Sequence, residues 1–323
     1  MGVLKRIKAY ILAADPTWVE ISVSAYYPYV QEIVVSYDRR GLGWTGAPVA
    51  LDESLERLRA IDVDGKMRFL PGDFSGSVRD PMENDTLQRN VALQLASEGA
   101  DWVLQLDTDE YLPSPSALFG AIQKADLLGI GAVEWPMRVL YRNLPKGEAL
   151  EICGRDGGDH FEYIAPIAVR SGKRLVHSRQ TNGAVLRAVV RGDRSSVQLS
   201  RPLAAGELRE ELLNAEEAII HNSWARSPAD LRRKLASWSH ASARAWVYYW
   251  GRWLPSVWTW RWMRNLHPFF GGVWPALRVC PIPLPRAIGP GSEVAAGRRL
   301  AKVQQDNFLP IDLSMKKPFH NET

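Results

Sequence analysis

An α/β architecture, with a mostly parallel sheet flanked by helices, is the fold class this sequence predicts, and three observations predict it. Short β-rich apolar runs alternate with helical periodicities from Lys8 to Glu110. Four such runs are separated by three helical segments, the signature of βαβ units. The runs end in acids, at Asp15, Asp38, Gly72-Asp73 and Asp107-Thr108-Asp109-Glu110. Ligands of open parallel sheets bind beyond those carboxyl ends.

The first run, Lys8-Ala9-Tyr10-Ile11-Leu12-Ala13, stops at Asp15-Pro16, which reads as a side-chain cap with proline at the first helical position. Val19, Val23 and Tyr26 then recur at helical spacing. Glu32–Tyr37 is a buried-strand pattern ending in Asp38-Arg39-Arg40-Gly41, followed by a helix around Ser54–Ala60 and a strand at Met67–Leu70. A third helix starts near Asn84-Asp85, carries Leu87, Val91 and Leu95 on one face and closes at Gly99. The fourth strand is Trp102–Leu106. Past Ser114-Pro115, a helix with Leu118, Ile122 and Leu128 leads to a strand at Ala132–Trp135 that extends to Tyr141. Residues 142–200 alternate short strands with polar loops, and no internal repeat occurs.

The pattern changes near residue 222. Ser227 caps a helix whose Leu231, Leu235 and Trp238 share a face. Residues 246–274 hold seven of the chain's 13 tryptophans, with Arg252, Arg261 and Arg264 among them. Residues 280–290 are proline-rich, and the remainder reads as a weak helix and a polar tail. The expected organisation is a catalytic domain over 1–225 and a helical, Trp-rich extension over 226–323.

Composition bounds the function classes. With 323 residues, 46% hydrophobic and 24% charged, the chain has the means for a large core and is neither collagen-like, mucin-like nor wholly disordered. Two cysteines, Cys153 and Cys280, make no disulfide framework, and Met1–Arg6 precedes no signal-peptide core, so a cytoplasmic setting is expected. No charge-free apolar stretch is long enough to span a bilayer. A net charge of +4 favours anionic ligands or surfaces without implying nucleic acid.

Two carboxylates one residue apart at a strand end, Asp107 and Asp109, can face one cavity, where hard oxygen ligands suit magnesium or manganese. The bland reading of an Asp-x-Asp string is a solvated turn. Its position after the fourth strand of an α/β series favours the site.

The run Thr86-Leu87-Gln88-Arg89-Asn90, then Glu98-Gly99-Ala100-Asp101-Trp102-Val103-Leu104-Gln105-Leu106-Asp107-Thr108-Asp109-Glu110, resembles the corresponding segment of GT-A glycosyltransferases of the family 2 type. There an Arg-Asn pair, a Gly-Ala-Asp-Trp entry and an Asp-x-Asp-Glu exit recur together. Glu32–Asp38 is similar to that family's second strand, and Ile219-Ile220-His221 with Arg233-Lys234 and Trp238-Ser239-His240 to its late His and Lys-x-x-x-Trp-x-His segment. The first strand departs, ending Leu12-Ala13-Ala14-Asp15-Pro16 in place of Arg-Asn-Glu, and the loop after Asp38 lacks Ser-x-Asp-x-Thr.

The resemblance implies a GT-A-like fold and a metal-dependent transfer from a nucleotide-diphosphate sugar, UDP-linked, to a carbohydrate, lipid-linked or other hydroxyl acceptor. It places Mn2+ or Mg2+ on Asp109, Asp107 and His221, and nucleotide contacts at Ala13, Asp15, Asp38 and Asp107. Arg89 and Lys234 are candidate phosphate donors. Their plain alternatives are a helix surface for Arg89, a solvated basic face for Lys234 and a core position for His221. A transferase that inverts configuration needs a carboxylate base; Glu110 and, within Asp156-Gly157-Gly158-Asp159-His160-Phe161-Glu162, Asp156 and Asp159 are the candidates. The tryptophans fit three roles: packing or an oligomer interface, docking on a membrane, and a sugar platform. The competing functional classes are a sugar nucleotidyltransferase, disfavoured because Ala13-Ala14-Asp15-Pro16 is no Gly-rich phosphate loop, and a non-catalytic carbohydrate- or membrane-binding protein.

Overall fold

The computed structural model describes residues 5–76, 80–194 and 196–285. The weak helix and polar tail expected at the end of the chain lie outside these residues. The first half runs β1 (Ile7–Leu12), α1 (Val19–Tyr26), β2 (Ile33–Asp38), α2 (Leu51–Ile61), β3 (Met67–Gly72), α3 (Pro81–Ser97), β4 (Trp102–Gln105), β5 (Glu110–Tyr111) and α4 (Pro115–Leu127). It continues with β6 (Ala132–Glu134), β7 (Met137–Asn143), β8 (Ala149–Cys153), β9 (Pro166–Arg170), β10 (Leu175–His177), β11 (Gln180–Thr181), β12 (Val185–Val190), α5 (Val197–Ser200), β13 (Glu207–Leu213) and β14 (Ile219–His221). The last elements are α6 (Pro228–Ser237), α7 (Ala243–Tyr248), α8 (Ser256–Thr259) and β15 (Ala276–Val279).

The fold is mixed α/β, built on an eight-stranded sheet of order β13-β12-β6-β9-β4-β1-β2-β3. β3, β2, β1 and β4 pair in parallel, as the alternating pattern requires. β9 enters antiparallel between β4 and β6, and β12 and β13 resume parallel pairing. Apolar side chains such as Ile11, Val35, Leu104 and Ile167 are fully buried in the main core. A second sheet has the order β15-β8-β7-β14-β5.

The single strand expected from Ala132 to Tyr141 is two strands in two sheets. β6 belongs to the large sheet and β7 to the small one, with Trp135-Pro136 between them, because a proline supplies no N–H to a ladder. Asp15 also differs from expectation: its Oδ1 accepts from the Thr17 amide at 3.0 Å and hydroxyl at 2.6 Å, a local turn that ends before α1 begins at Val19. Ser227 does cap its helix, accepting from the Asp230 amide at 3.1 Å.

A second core joins β7 and β8 to the chain beyond Trp224. Tyr141, Leu150 and Ile152 pack with Leu231, Leu235, Tyr249, Trp253, Leu266 and Trp274. β15 pairs with β8 through Ala276–Cys153 and Leu277–Ile152, so the expected 225/226 boundary is crossed both by a ladder and by a core. Of the seven tryptophans in 246–274, Trp246, Trp253, Trp260 and Trp274 belong to this core or pack on it. The other three are exposed.

The loop after β2 leans on α6 at Gly43. A Cβ there would lie 2.5 Å from the Ser237 Cβ and 2.8 Å from its carbonyl oxygen. Gly43→Ala is therefore expected to destabilise by roughly 1–3 kcal/mol through overpacking. Gly120→Ala in α4, where an added Cβ meets nothing, should shift stability by up to about 1 kcal/mol the other way. Urea denaturation of both variants checks the pair of signs.

Candidate active site

Beyond the carboxyl ends of β1, β2 and β4 lies a cleft of about 720 Å³, a size suited to a small-molecule substrate. Asp15, Asp38, Asp107 and Asp109 line it from the sheet side, and Ala13 sits on its floor. The small sheet supplies His221 and the C-terminal region supplies Lys234, Trp238 and Trp274. Gly72-Asp73, the remaining strand end, does not line it; Asp73 pairs with Arg39 at 3.3 Å on an exposed loop.

The Asp107–Glu110 turn is held from all sides. The Ser22 hydroxyl reaches the carbonyls of Asp107 at 2.9 Å and Glu110 at 2.7 Å, and the Thr108 hydroxyl donates to the Asp15 carbonyl at 3.1 Å. Both Asp107 carboxylate oxygens accept from Arg89, at 3.0 and 3.1 Å, and the Arg89 Nε donates to Asp85 at 2.6 Å. Burial opposes ionisation of Asp107, but the Arg89 and Arg179 charges outweigh it and hold this carboxyl well below the usual carboxylate range. Arg89 is thus buried against acids, not on a helix surface.

Glu110 does not reach the cleft. Its fully buried carboxylate takes two Arg179 nitrogens at 2.7 Å each and the Asp107 amide at 3.0 Å. A carboxylate clamped in this way is a structural strut and has no position from which to take an acceptor proton. Arg179 itself sits on the β10–β11 turn, which Asn90 fastens to α3 through the Leu175 carbonyl and amide, both at 2.9 Å.

Asp109 collects cations. Its Oδ2 accepts from Arg226 at 2.6 Å and Lys234 at 2.9 Å, while Oδ1 faces the His221 Nε2 at 3.8 Å. Arg226 also pairs with Asp15. Burial pulls the Arg226 guanidinium down to about 10, where it is still a cation at neutral pH. Burial and the neighbouring Arg226 charge lower the Lys234 ammonium, and Asp109 pulls it back toward its ordinary value. Lys234, on α6, therefore points into the cleft and not to solvent.

All three expected metal ligands line the one cleft. Asp109 and His221 face one another across paired strands, since His221 stands opposite Glu110 in the β14–β5 ladder. Asp107 also faces the cleft, with one bond from Arg89 on each carboxylate oxygen. Among the described residues no group of three or more His, Cys, Asp or Glu side chains surrounds a common point. The residues present fit a divalent cation only in one form. One carboxylate oxygen and one imidazole nitrogen would hold an ion whose other positions belong to phosphate oxygens and water. The His221 Nδ1, buried and without a partner, leaves the tautomer of that ring free to serve such a role.

Asp38 is placed at the cleft but is already occupied. Its oxygens accept from the amides of Phe74 at 2.8 Å, Ser75 at 3.0 Å and Arg40 at 3.0 Å. Burial raises its carboxyl, yet these amides and the Arg40 side chain win and the net displacement is downward. Its stabilising contribution is therefore present above the ordinary value of 3.8 and is lost as the pH falls below it. Asp38→Asn should cost roughly 1–3 kcal/mol at pH 7, with a smaller difference at pH 3. Thermal denaturation at the two values checks it.

Asp156 and Asp159 also lie away from the cleft. Asp156 accepts from the Gly158 amide at 2.9 Å and closes its own turn, and Asp159 pairs with Arg138 at 3.1 Å and with Arg278. The residue of that segment that does line the cleft is Glu162. It is buried, accepts from the Trp274 indole N–H, and bridges Met137 through amide-carbonyl bonds of 3.0 and 2.9 Å. Burial pushes its carboxyl up to about 7, with the indole pulling weakly the other way. Met137 precedes Val139, the partner of His221, by two positions on β7, a separation of about 7 Å along the strand.

Three participants therefore stand outside the sequence-based set: Arg226, Arg179 and, as an individual residue, Glu162. The available signal for Arg226 was its place between the Ile-Ile-His strand and the Ser227 cap, the point where the chain leaves the site.

No family model matches this chain, and no curated protein matches it. Among solved structures it is similar to mannose-6-phosphate isomerase from Helicobacter pylori, with 18% identity over 45% of this chain and 58% of that one and a TM-score of 0.27. It is also similar to mannose-1-phosphate geranyltransferase from Thermus thermophilus, with 13% identity over 52% and 50% of the two chains and a TM-score of 0.26. The match spans little more than half the length of either protein.

Proposed function

We propose that this chain is a GT-A-like glycosyltransferase that moves a sugar from a nucleotide-diphosphate donor, UDP-linked, to a hydroxyl of a carbohydrate or lipid-linked acceptor. The observation that carries the reading is one cleft with two chemically opposite poles. One pole has Lys234, Asp109 and His221, with Arg226 buried behind Asp109; the other has Glu162, a carboxyl poised near neutrality beside Trp274.

The roles follow from the charges. Lys234 supplies a donor for a diphosphate that becomes more negative as the bond between sugar and phosphate breaks, and Arg226, buried behind Asp109, holds that carboxylate in place. A divalent cation, when bound with the donor at Asp109 and His221, would add Lewis-acid stabilisation of that same charge. Glu162, once ionised, takes the proton of the acceptor hydroxyl while the acceptor oxygen forms the new bond to the anomeric carbon. The electron pair of the broken bond leaves with the diphosphate. A single displacement of this kind inverts configuration. Trp238, half-buried at the cleft, offers an aromatic face for the acceptor sugar.

A thermal-shift panel tests this: UDP-, GDP- and dTDP-sugars, each with manganese and with chelator, and a nucleoside triphosphate with a sugar 1-phosphate. A ligand at 100 times its Kd stabilises by about 2.7 kcal/mol. The expected result is stabilisation by a UDP-sugar, larger with manganese. Stabilisation only by the triphosphate, with pyrophosphate release, would replace the reading by nucleotidyl transfer.

A further inference from the structure

We propose that the helical turns from Ala243 to Arg264 form a docking surface for an anionic phospholipid bilayer, on which the protein lies without crossing. No helix among the described residues is long and apolar enough to span a membrane.

The first observation is how the tryptophans divide. Trp246, Trp253 and Trp260, spaced by seven, turn inward to the second core. Trp250, Trp258 and Trp262 turn outward and are 58%, 73% and 77% exposed, with Val247 at 72%. Trp258 and Trp262 are four residues apart on successive helical turns and so share a face. A core that already holds or packs six tryptophans does not need three more in water. Indole rings settle at headgroup depth, where an apolar body meets a wet rim.

The second observation is charge. From Leu231 to Pro285 the chain has seven arginines and one lysine and no aspartate or glutamate. Arg244, Arg252, Arg261 and Arg264 are exposed, and none makes an ion pair with a described carboxylate. Arg252 and Arg264 instead donate to backbone carbonyls of 261–265, and Arg261 lies over the Trp260 ring. Unpaired guanidiniums interleaved with exposed indoles match an interface that is negative outside and apolar beneath. A second copy of this chain is a poorer occupant, because a two-fold interface would set these cations against themselves. Phe270, six residues past Arg264, lines the cleft and is itself exposed.

The test is co-sedimentation of the full chain with vesicles of pure phosphatidylcholine and of phosphatidylcholine with phosphatidylglycerol. Binding to the anionic vesicles should exceed binding to the neutral ones by about tenfold or more at 0.1 M salt and fall steeply at 0.5 M. The combined change Trp250→Ala, Trp258→Ala and Trp262→Ala should abolish it with circular dichroism unchanged. Arg244→Gln with Arg261→Gln keeps every indole and should lower anionic binding while sparing the neutral background. Absence of anionic-vesicle binding by the native chain overturns the proposal, as does undiminished binding by both variants. Selective binding of single-stranded oligonucleotide without vesicle binding, or a dimer lost in the tryptophan variant without vesicle binding, also overturns it.

Discussion

Glu162→Gln is expected to lower turnover by about 10²–10⁴-fold while making the protein more stable at pH 8. The first effect is the ordinary loss on removing a general base. The second follows from the direction of the Glu162 displacement. Its carboxyl moves from an ordinary value of 4.5 to about 7 on folding, with burial the main cause. Between those values the folded protein keeps a proton that the unfolded chain has shed, so stability falls as the pH rises across this window. At about 1.4 kcal/mol per unit the accumulated loss above pH 7 is of order 3 kcal/mol. A neutral glutamine can still accept from the Trp274 indole and carries no such loss. Urea denaturation at pH 4 and pH 8 should therefore show near-equal stability at the first value and a more stable variant at the second. Native turnover should rise with pH through about 7, since only the ionised carboxylate takes a proton. Retained turnover in the variant would remove Glu162 from the chemistry whatever the stability data show.

Much of the large sheet was legible because its strands obey simple rules. β1, β2, β3 and β4 are short apolar runs at parallel spacing, and each expected range falls within a residue or two of the observed one. α3 begins at Pro81, three residues before the expected start. Apolar periodicity grouped Leu87, Val91 and Leu95 on one face, yet the buried side is Asn84, Asp85, Gln88, Arg89, Ala92, Leu93 and Ala96, and Leu87 is exposed. The reason is position. The N-terminal half of α3 borders the cleft, where Arg89 must meet Asp107, so a helix beside a polar site buries polar residues. A hydrophobic pattern cannot report that.

The candidate site was legible in the same uneven way. Asp109 and His221 carried signals from local context, a strand-end acid and a histidine after two isoleucines. Their partners did not. Arg226 lies 117 residues from Asp109 and Arg179 lies 69 from Glu110, so each pairing exists only once the two sheets and the β10–β11 turn are assembled. Asp156 and Asp159 were the candidates of this segment, ahead of Glu162, because they stand next to its glycines. Packing decides among them: Asp159 meets Arg138 and Arg278, while Glu162 is left in the cleft with an indole and no cation.

Asp109→Asn is expected to lower turnover by at least about a hundredfold and also to destabilise the fold. Read from the strand-end motif alone, this isosteric change removes charge from a reacting centre and should spare stability. The ion pairs say otherwise. Asp109 compensates Arg226, whose side chain is 1% exposed, and Lys234, so its loss leaves buried cations with one acid fewer. Breaking a buried pair costs roughly 3–5 kcal/mol, and the lower end applies because Arg226 keeps Asp15. The same change also frees Lys234 for an anion in the cleft. Inorganic pyrophosphate, without divalent metal, should therefore raise the melting temperature of Asp109→Asn more than that of the native protein, since a ligand bound to the folded state stabilises it in proportion to its affinity. If pyrophosphate instead stabilises the native protein more, Asp109 is not competing with the diphosphate for Lys234, and this cation belongs to the scaffold and not to the donor site.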